Sequence, residues 1–284
     1  MTNQLKKNKI LVKAFILTMS LILTSGIIRH DKNIQKYVGI GMSPQFECVG
    51  RYSTTKDTTD YAAGVLIAQN WVLTASHFVE DSSSWKFGNK FYKTKRIIKN
   101  PKLLPDATEL QWNGWDLALI ELEQSVLDVQ PAIRYRGRDE LGKVITKIGY
   151  GYWGDGKSGL KTPRVTGRLG GNNTIDAVGG TFEGRNFTDD VLACDFDSPE
   201  TDTLNRFGSS LPLEFEIGGS KGDSGGGIFI ENNGHQELVG IVSGGLNRQI
   251  RYGSIMALAR ISSANNWIDS IIAKKIKKNS KSKH

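Results

Sequence analysis

Gly222-Asp223-Ser224-Gly225-Gly226-Gly227, running directly into Ile228-Phe229-Ile230, governs how the whole chain is to be read. Four glycines around one serine free the backbone to turn the N–H groups of Gly222 and Ser224 toward one point, where a carbonyl oxygen becoming negative would be held. The β-formers that follow set this turn at the mouth of a strand. A serine hydroxyl is a poor nucleophile unless a base takes its proton and a third group fixes that base.

Both partners lie upstream. Of four histidines, His30, His77, His235 and His284, only His77 follows an apolar strand, Trp71-Val72-Leu73-Thr74, through a small-residue turn, Ala75-Ser76, that presents its ring at a strand end. Asp116 opens Leu117-Ala118-Leu119-Ile120, so its carboxylate stands at the edge of buried surface. An unpartnered carboxylate there costs on the order of several kcal/mol, and an imidazole would satisfy it. Gly222-x-Ser224-x-Gly226 also fits the serine elbow of α/β-hydrolases, but that arrangement expects its acid and histidine after the serine and helices between the strands. Only His235 and His284 follow Ser224.

The surrounding sequence is β-rich. Gly64-Val65-Leu66-Ile67, Val144-Ile145-Thr146-Lys147-Ile148 and Leu238-Val239-Gly240-Ile241-Val242 are short apolar runs separated by Gly, Asn and Asp clusters. With 32 glycines against 7 prolines, the punctuation is tight turns rather than a low-complexity linker. Helical spacing appears only at Ala264, Trp267, Ile268, Ile271 and Ile272, an amphipathic helix that closes the fold.

The net charge of +8 comes from the two ends. Lys6, Lys7, Lys9 and Lys13 precede the body, and Lys274, Lys275, Lys277, Lys278, Lys281 and Lys283 follow it, with no acid beside either run. The body is slightly acidic, so the net charge does not imply a folded basic face, and no nucleic-acid partner is expected. The first run leads into an apolar stretch from Ala14 to Ile28 that is too short to span a bilayer comfortably and ends in Thr24-Ser25-Gly26. Residues 1–26 are therefore read as an export signal or, if uncleaved, a signal anchor, with the body secreted or periplasmic. Two cysteines, Cys48 and Cys194, are too few for a thiolate metal site. A disulfide between them and two separate buried thiols both stay open.

Thr74-Ala75-Ser76-His77, Asp116-Leu117-Ala118-Leu119-Ile120 and Gly222-Asp223-Ser224-Gly225-Gly226, in that order, resemble the signatures of the chymotrypsin-like serine proteases. The resemblance implies an all-β fold of two six-stranded antiparallel barrels with a C-terminal α-helix. The first barrel would span 37–138 and the second 139–262, with the helix and basic tail at 263–284 and a propeptide or extension at 27–36. It makes Ser224 the nucleophile, His77 the base, Asp116 its orienting carboxylate, and Gly222 and Ser224 the oxyanion donors. Val242, Ser243 and Gly244 would pair with substrate backbone, and Gly245 would stand on a wall of the specificity pocket. Gly218, six residues before the nucleophile, would form the base of a neutral specificity pocket with Gly253 on a wall. Asp223 would pair with a freed amino terminus, either Tyr37 after cleavage behind Lys36 or Ile27 after signal removal.

Several residues depart from the family pattern. Ala62 and Phe78 stand where cysteines usually bridge the histidine loop, Gly244 replaces a tryptophan, and Gly227 replaces a proline. The resemblance implies protein or peptide substrates for a monomer with no cofactor, metal or nucleic acid. The competing class is a protease-fold binding or adhesion protein without catalysis, against which stands the survival of all three catalytic positions.

Overall fold

Short apolar runs bounded by turn residues become eighteen strands and two helices among the residues that the computed structural model describes. These are 26–54, 62–104, 113–161, 167–182, 184–246 and 250–281, with side chains of the closing helix to residue 273. The export signal expected at 1–26 lies outside them except for Gly26.

β1 (Gly26–Ile28) and α1 (Ile34–Gly41) come first. β2 (Val49–Ser53), β3 (Ala63–Ala68), β4 (Trp71–Thr74), β5 (Ser84–Phe87), β6 (Lys90–Lys99) and β7 (Ala118–Leu122) follow, and close into a barrel in the order β2-β3-β4-β7-β6-β5. Every pairing in it is antiparallel. Val65, Leu73 and Leu119 share one face of its sheet, Leu66 and Ile120 the other, and with Trp85 all are buried in the core centred on it.

The second β unit holds β8 (Ile133–Arg134), β9 (Val144–Gly149), β10 (Trp153–Asp155), β11 (Gly159–Lys161), β12 (Leu169–Thr174) and β13 (Ala177–Phe182). It continues with β14 (Arg185–Asp195), β15 (Ile217–Gly218), β16 (Gly227–Asn232), β17 (His235–Leu246) and β18 (Ile255–Arg260). Its main sheet runs β12-β9-β16-β17-β18-β14-β13, with β8 against β17. The sheet curls until its two sides meet: Asn173 Nδ2 on β12 donates to the Asp195 carbonyl on β14 at 2.7 Å and to the Ile217 carbonyl on β15 at 3.0 Å. α2 (Ile261–Lys281) closes the chain, burying Ile261, Ala264 and Ile268. Arg134 at the end of β8 and Arg136 just after it grip Asp269 on this helix at 2.5 and 2.6 Å, and Arg136 chiefly holds that carboxyl down at about 2.

The amino-terminal segment is not an appendage. β1 pairs parallel to β10 and antiparallel to β15 in a small sheet ordered β11-β10-β1-β15. Ile27 is fully buried with Phe196 and Tyr252, and Ile28 packs against Tyr37, Leu169 and Ile217. The Lys36–Tyr37 bond lies inside α1, and the buried Tyr37 hydroxyl donates to the Glu216 carbonyl at 3.1 Å. The segment 27–36, expected as a propeptide or extension, is thus built into the second unit. The expected boundaries shift accordingly: α1 packs on β12, β8 pairs with β17, and the closed first barrel occupies Val49 to Leu122.

The cysteines do not pair. Cys48 is a free buried thiol in the core centred on the first barrel and Cys194 another in the core of the second unit, so separate packing, not a cross-link, accounts for both. Burial pushes the Cys48 thiol up to about 12.

Candidate active site

His77 sits on a short 3₁₀ turn, Ser76–Phe78, directly after β4. Its loop is held without a disulfide by aromatic edges: Phe78 meets Tyr52 at 4.9 Å and the His77 ring at 5.4 Å, both nearly perpendicular. Asp116, fully buried just before β7, is surrounded by donors. The N–H groups of Ser76 and His77 each reach Oδ1 at 2.9 Å, while His77 Nδ1 and Ser243 Oγ each reach Oδ2 at 2.7 Å. A carboxylate so placed can only accept, which puts the ring proton on Nδ1. Nε2 is left to accept from Ser224 Oγ, 3.0 Å away. The three residues singled out from separate motifs therefore meet in one hydrogen-bonded line.

The serine turn is fastened to both units. The Ser224 carbonyl accepts from the Ala63 N–H of β3 at 2.9 Å, and Gly225 N–H donates to the Val242 carbonyl of β17 at 2.8 Å. Gly225 has a positive φ of 79°, and a Cβ there would strike the Ala63 carbonyl and Thr74 Oγ1, so only glycine fits. Gly222 also has a positive φ, 85°. The carbonyl of Lys221 is held by the Tyr152 N–H at 2.8 Å. In a trans peptide the N–H points opposite to its C=O, so the Gly222 N–H is turned away from Tyr152. Among the described residues neither Gly222 N–H nor Ser224 N–H has a protein acceptor, and both residues line the cavity beside the nucleophile. Two vacant donors at that spot are what a developing oxyanion requires.

Asp223 does not face a chain terminus. Its carboxylate accepts from Lys147 Nζ at 2.6 Å, both side chains fully buried, and from the N–H groups of Ser220 and Gly151 at 2.8 and 3.1 Å. The expected partner of Asp223, a freed amino terminus, is thus replaced by a lysine of β9. β1 braces the same region through its backbone: Gly26 N–H donates to the Tyr152 carbonyl at 2.8 Å. Gly26 has a φ of 112°, and a Cβ on it would stand 2.7 Å from Ile217 Cδ1 and 3.0 Å from Lys147 Nζ. Lys147 escaped the sequence reading, yet a signal was present: it shares the inward phase of β9 with Ile145, where an unpaired charge would be prohibitively buried.

A cavity of about 570 Å³ opens next to Ser224, lined among others by Leu160, Gly219, Ser220, Gly244, Gly245 and Ser254. Among the described residues no acidic side chain lines it, and Lys221 is the one charged residue that does. Gly218 is not on the wall. It pairs with Ile27 inside the small sheet, and a Cβ on it would meet Phe196, so the floor falls one residue later, at Gly219, backed by the Met256 side chain. Gly253, expected on a wall, likewise faces away, toward Leu204 of the neighbouring loop. β16 pairs with β17 only as far as Ile241, which leaves residues 243–246 with one unpaired edge along the cavity. Extended substrate backbone could add there as a further strand.

A family model described as Trypsin matches residues 42–203 and 211–268. Among solved structures, the chain resembles one titled neuropsin, a serine protease expressed in the limbic system of mouse brain. The TM-score is 0.62 at 18 % identity, covering 82 % of this chain and 97 % of that one. No curated protein matches it in sequence.

Proposed function

The chain belongs to the trypsin family of serine proteases, and from that premise we propose that it is a secreted endopeptidase that cleaves through an acyl-enzyme on Ser224. The observation that carries this reading is the unbroken line Asp116–His77–Ser224, at 2.7 and 3.0 Å, beside two vacant N–H donors. His77 Nε2 takes the Ser224 proton as Oγ attacks the scissile carbonyl, and the oxygen turning negative is met by the N–H groups of Gly222 and Ser224. Asp116 keeps the ring in the needed tautomer and steadies its positive form. His77 then returns the proton to the leaving amine, and water repeats the sequence to release the acid. Ser243, Gly244 and Gly245 hold the substrate as an added strand.

The glycine-lined cavity, backed by Met256 and carrying Lys221 rather than an acid on its wall, supports a preference for apolar or aromatic side chains at the cleaved position. Profiling cleavage of an unbiased peptide library tests activity and pocket together. Internal cuts after Phe, Leu or Tyr, favoured at least about tenfold over Lys or Arg, are expected, a difference of about 1.4 kcal/mol. Cuts restricted to basic residues would overturn the pocket, and exclusive trimming of chain ends would overturn the endopeptidase reading.

Activation follows from Lys147. Because the cation on Asp223 belongs to the folded chain itself, no newly exposed ammonium is needed to order the oxyanion turn. The enzyme is competent once folded after export, with β1 retained. Amino-terminal sequencing of active secreted material should give Gly26 or Ile27. Full turnover from material beginning at Tyr37, which lacks β1, would refute this.

A further inference from the structure

Behind the specificity cavity lies a group of four acids that the catalytic reading does not use: Asp176, Asp195 at the end of β14, Asp197 and Glu216. Asp195, Asp197 and Glu216 are 2, 7 and 2 % exposed. Their hydrogen bonds come almost wholly from backbone. Asp195 N–H reaches Asp176 Oδ2 at 3.3 Å, Arg206 N–H reaches Asp195 Oδ2 at 2.5 Å, and the N–H groups of Asp197 and Leu213 reach the two Glu216 oxygens at 2.7 and 2.6 Å. Asp195 Oδ1 and Asp197 Oδ1 are buried with no partner.

Among the described residues no lysine, arginine or histidine forms an ion pair with any of the four. The neighbouring polar groups are otherwise engaged. Arg29 is spent on Asp31 and the Leu213 carbonyl, and Arg206 offers its backbone N–H while its side chain is exposed. The Tyr37 hydroxyl donates to the Glu216 carbonyl, Tyr252, stacked on Phe196, bonds to His30, and the Cys194 thiol is buried beside the group. Three buried carboxyls and the half-buried Asp176, without a counter-charge, cannot all ionise in place.

The same residues carry the cavity. Asp195 pairs in register with Ile255, which lines it, and the Phe196 carbonyl accepts from Gly253 N–H at 2.7 Å, fixing the turn that leads into Ser254. Glu216 leads directly through β15 into Gly219 and Ser220, and Asn173 ties the Asp195 and Ile217 carbonyls together. The Asp195 carboxyl on β14 pins the middle of loop 197–216 at Arg206, and the Glu216 carboxyl ties its two ends together at Asp197 and Leu213.

We propose that this acidic quartet is a proton-operated clamp on the specificity pocket: with protons bound it holds loop 197–216 and the pocket floor in place, and losing them loosens both. The proposal rests on the endopeptidase reading for its effect on catalysis, but the clamp itself does not. Burial, with the acids' mutual repulsion added, raises Asp176 and Asp197 to about 7 and Glu216 to about 8, and Asp195 also lies above its ordinary value. With folded values above unfolded ones, their stabilising effect is complete below the ordinary carboxylate range and is lost as pH rises through about 7 to 8.

The test measures KM and kcat separately from pH 5.5 to 9 for an apolar peptide substrate. It also follows the melting temperature and amide hydrogen exchange of 197–216 over the same range, in wild type, Asp197→Asn and Asp176→Asn. In wild type KM should climb roughly tenfold above neutrality while kcat changes far less, with loop exchange quickening and the melting temperature falling in step. Either substitution should flatten the KM rise severalfold and lift the melting temperature at pH 9. Unchanged KM, exchange and melting profiles in both variants would overturn the clamp. If no substrate is cleaved at any pH, exchange and melting still report on the clamp, so the two readings fail separately.

Discussion

Ser224→Ala should lower kcat/KM for a cleaved peptide by about 10⁵- to 10⁶-fold while leaving the melting temperature within a few degrees of wild type. Among the described residues the removed hydroxyl has His77 Nε2 as its one hydrogen-bond partner, and the turn around it is held by backbone bonds to Ala63 and Val242 that alanine keeps. KM should therefore hold, because the pocket and the substrate-pairing edge are intact. His77→Ala should cost about as much, and the double variant little more, since the two act on one proton and their effects do not add. An organophosphonate that modifies wild type at Ser224 should leave both variants unlabelled. Activity in Ser224→Ala within tenfold of wild type would remove the nucleophile assignment.

Lys147→Met should produce the next largest loss, and by a different route. Methionine nearly matches the lysine stem in volume, so the change removes the cation without opening a cavity. Asp223 is then a buried carboxylate with its charge uncompensated, a situation that typically costs about 3–5 kcal/mol. The turn can relieve that strain by rotating Asp223 outward, which carries Gly222 away from the point its N–H must serve. Losing one oxyanion donor is worth on the order of 10²- to 10³-fold in kcat. The melting temperature should fall and kcat with it, KM changing far less. Lys147→Met combined with Asp223→Asn should recover most of the stability but little of the turnover. Wild-type kcat in Lys147→Met would show that the pair is not what holds the turn.

The catalytic line was legible because each of its members sits in a local pattern: a glycine-flanked serine before a strand, a histidine after one, an aspartate opening one. The supports were not, because they arise where distant segments pair. Lys147 contacts Asp223 across 76 positions of chain, and nothing local to either residue names the other. β1 was hidden for the same reason, its Ile27-Ile28 reading equally well as the tail of an apolar signal. The pocket floor slipped by one residue, from Gly218 to Gly219, because in a strand a single step turns a residue to the opposite face. Phe78, noted only as a missing cysteine, turned out to replace the bridge by packing on Tyr52.

The position of β1 in the interior of its small sheet bears on the order in which the molecule is made. Its partners on either side, residues 153–155 and 217–218, leave the ribosome long after it, the later of them roughly 190 residues on. Once residues 153–155 are made β1 has one partner and Tyr152 its brace, but its other edge stays open until 217–218 follow, and the peptide between Lys221 and Gly222 comes later still. The oxyanion turn is consequently completed only after residues 217–222 have been made, long after His77 and Asp116.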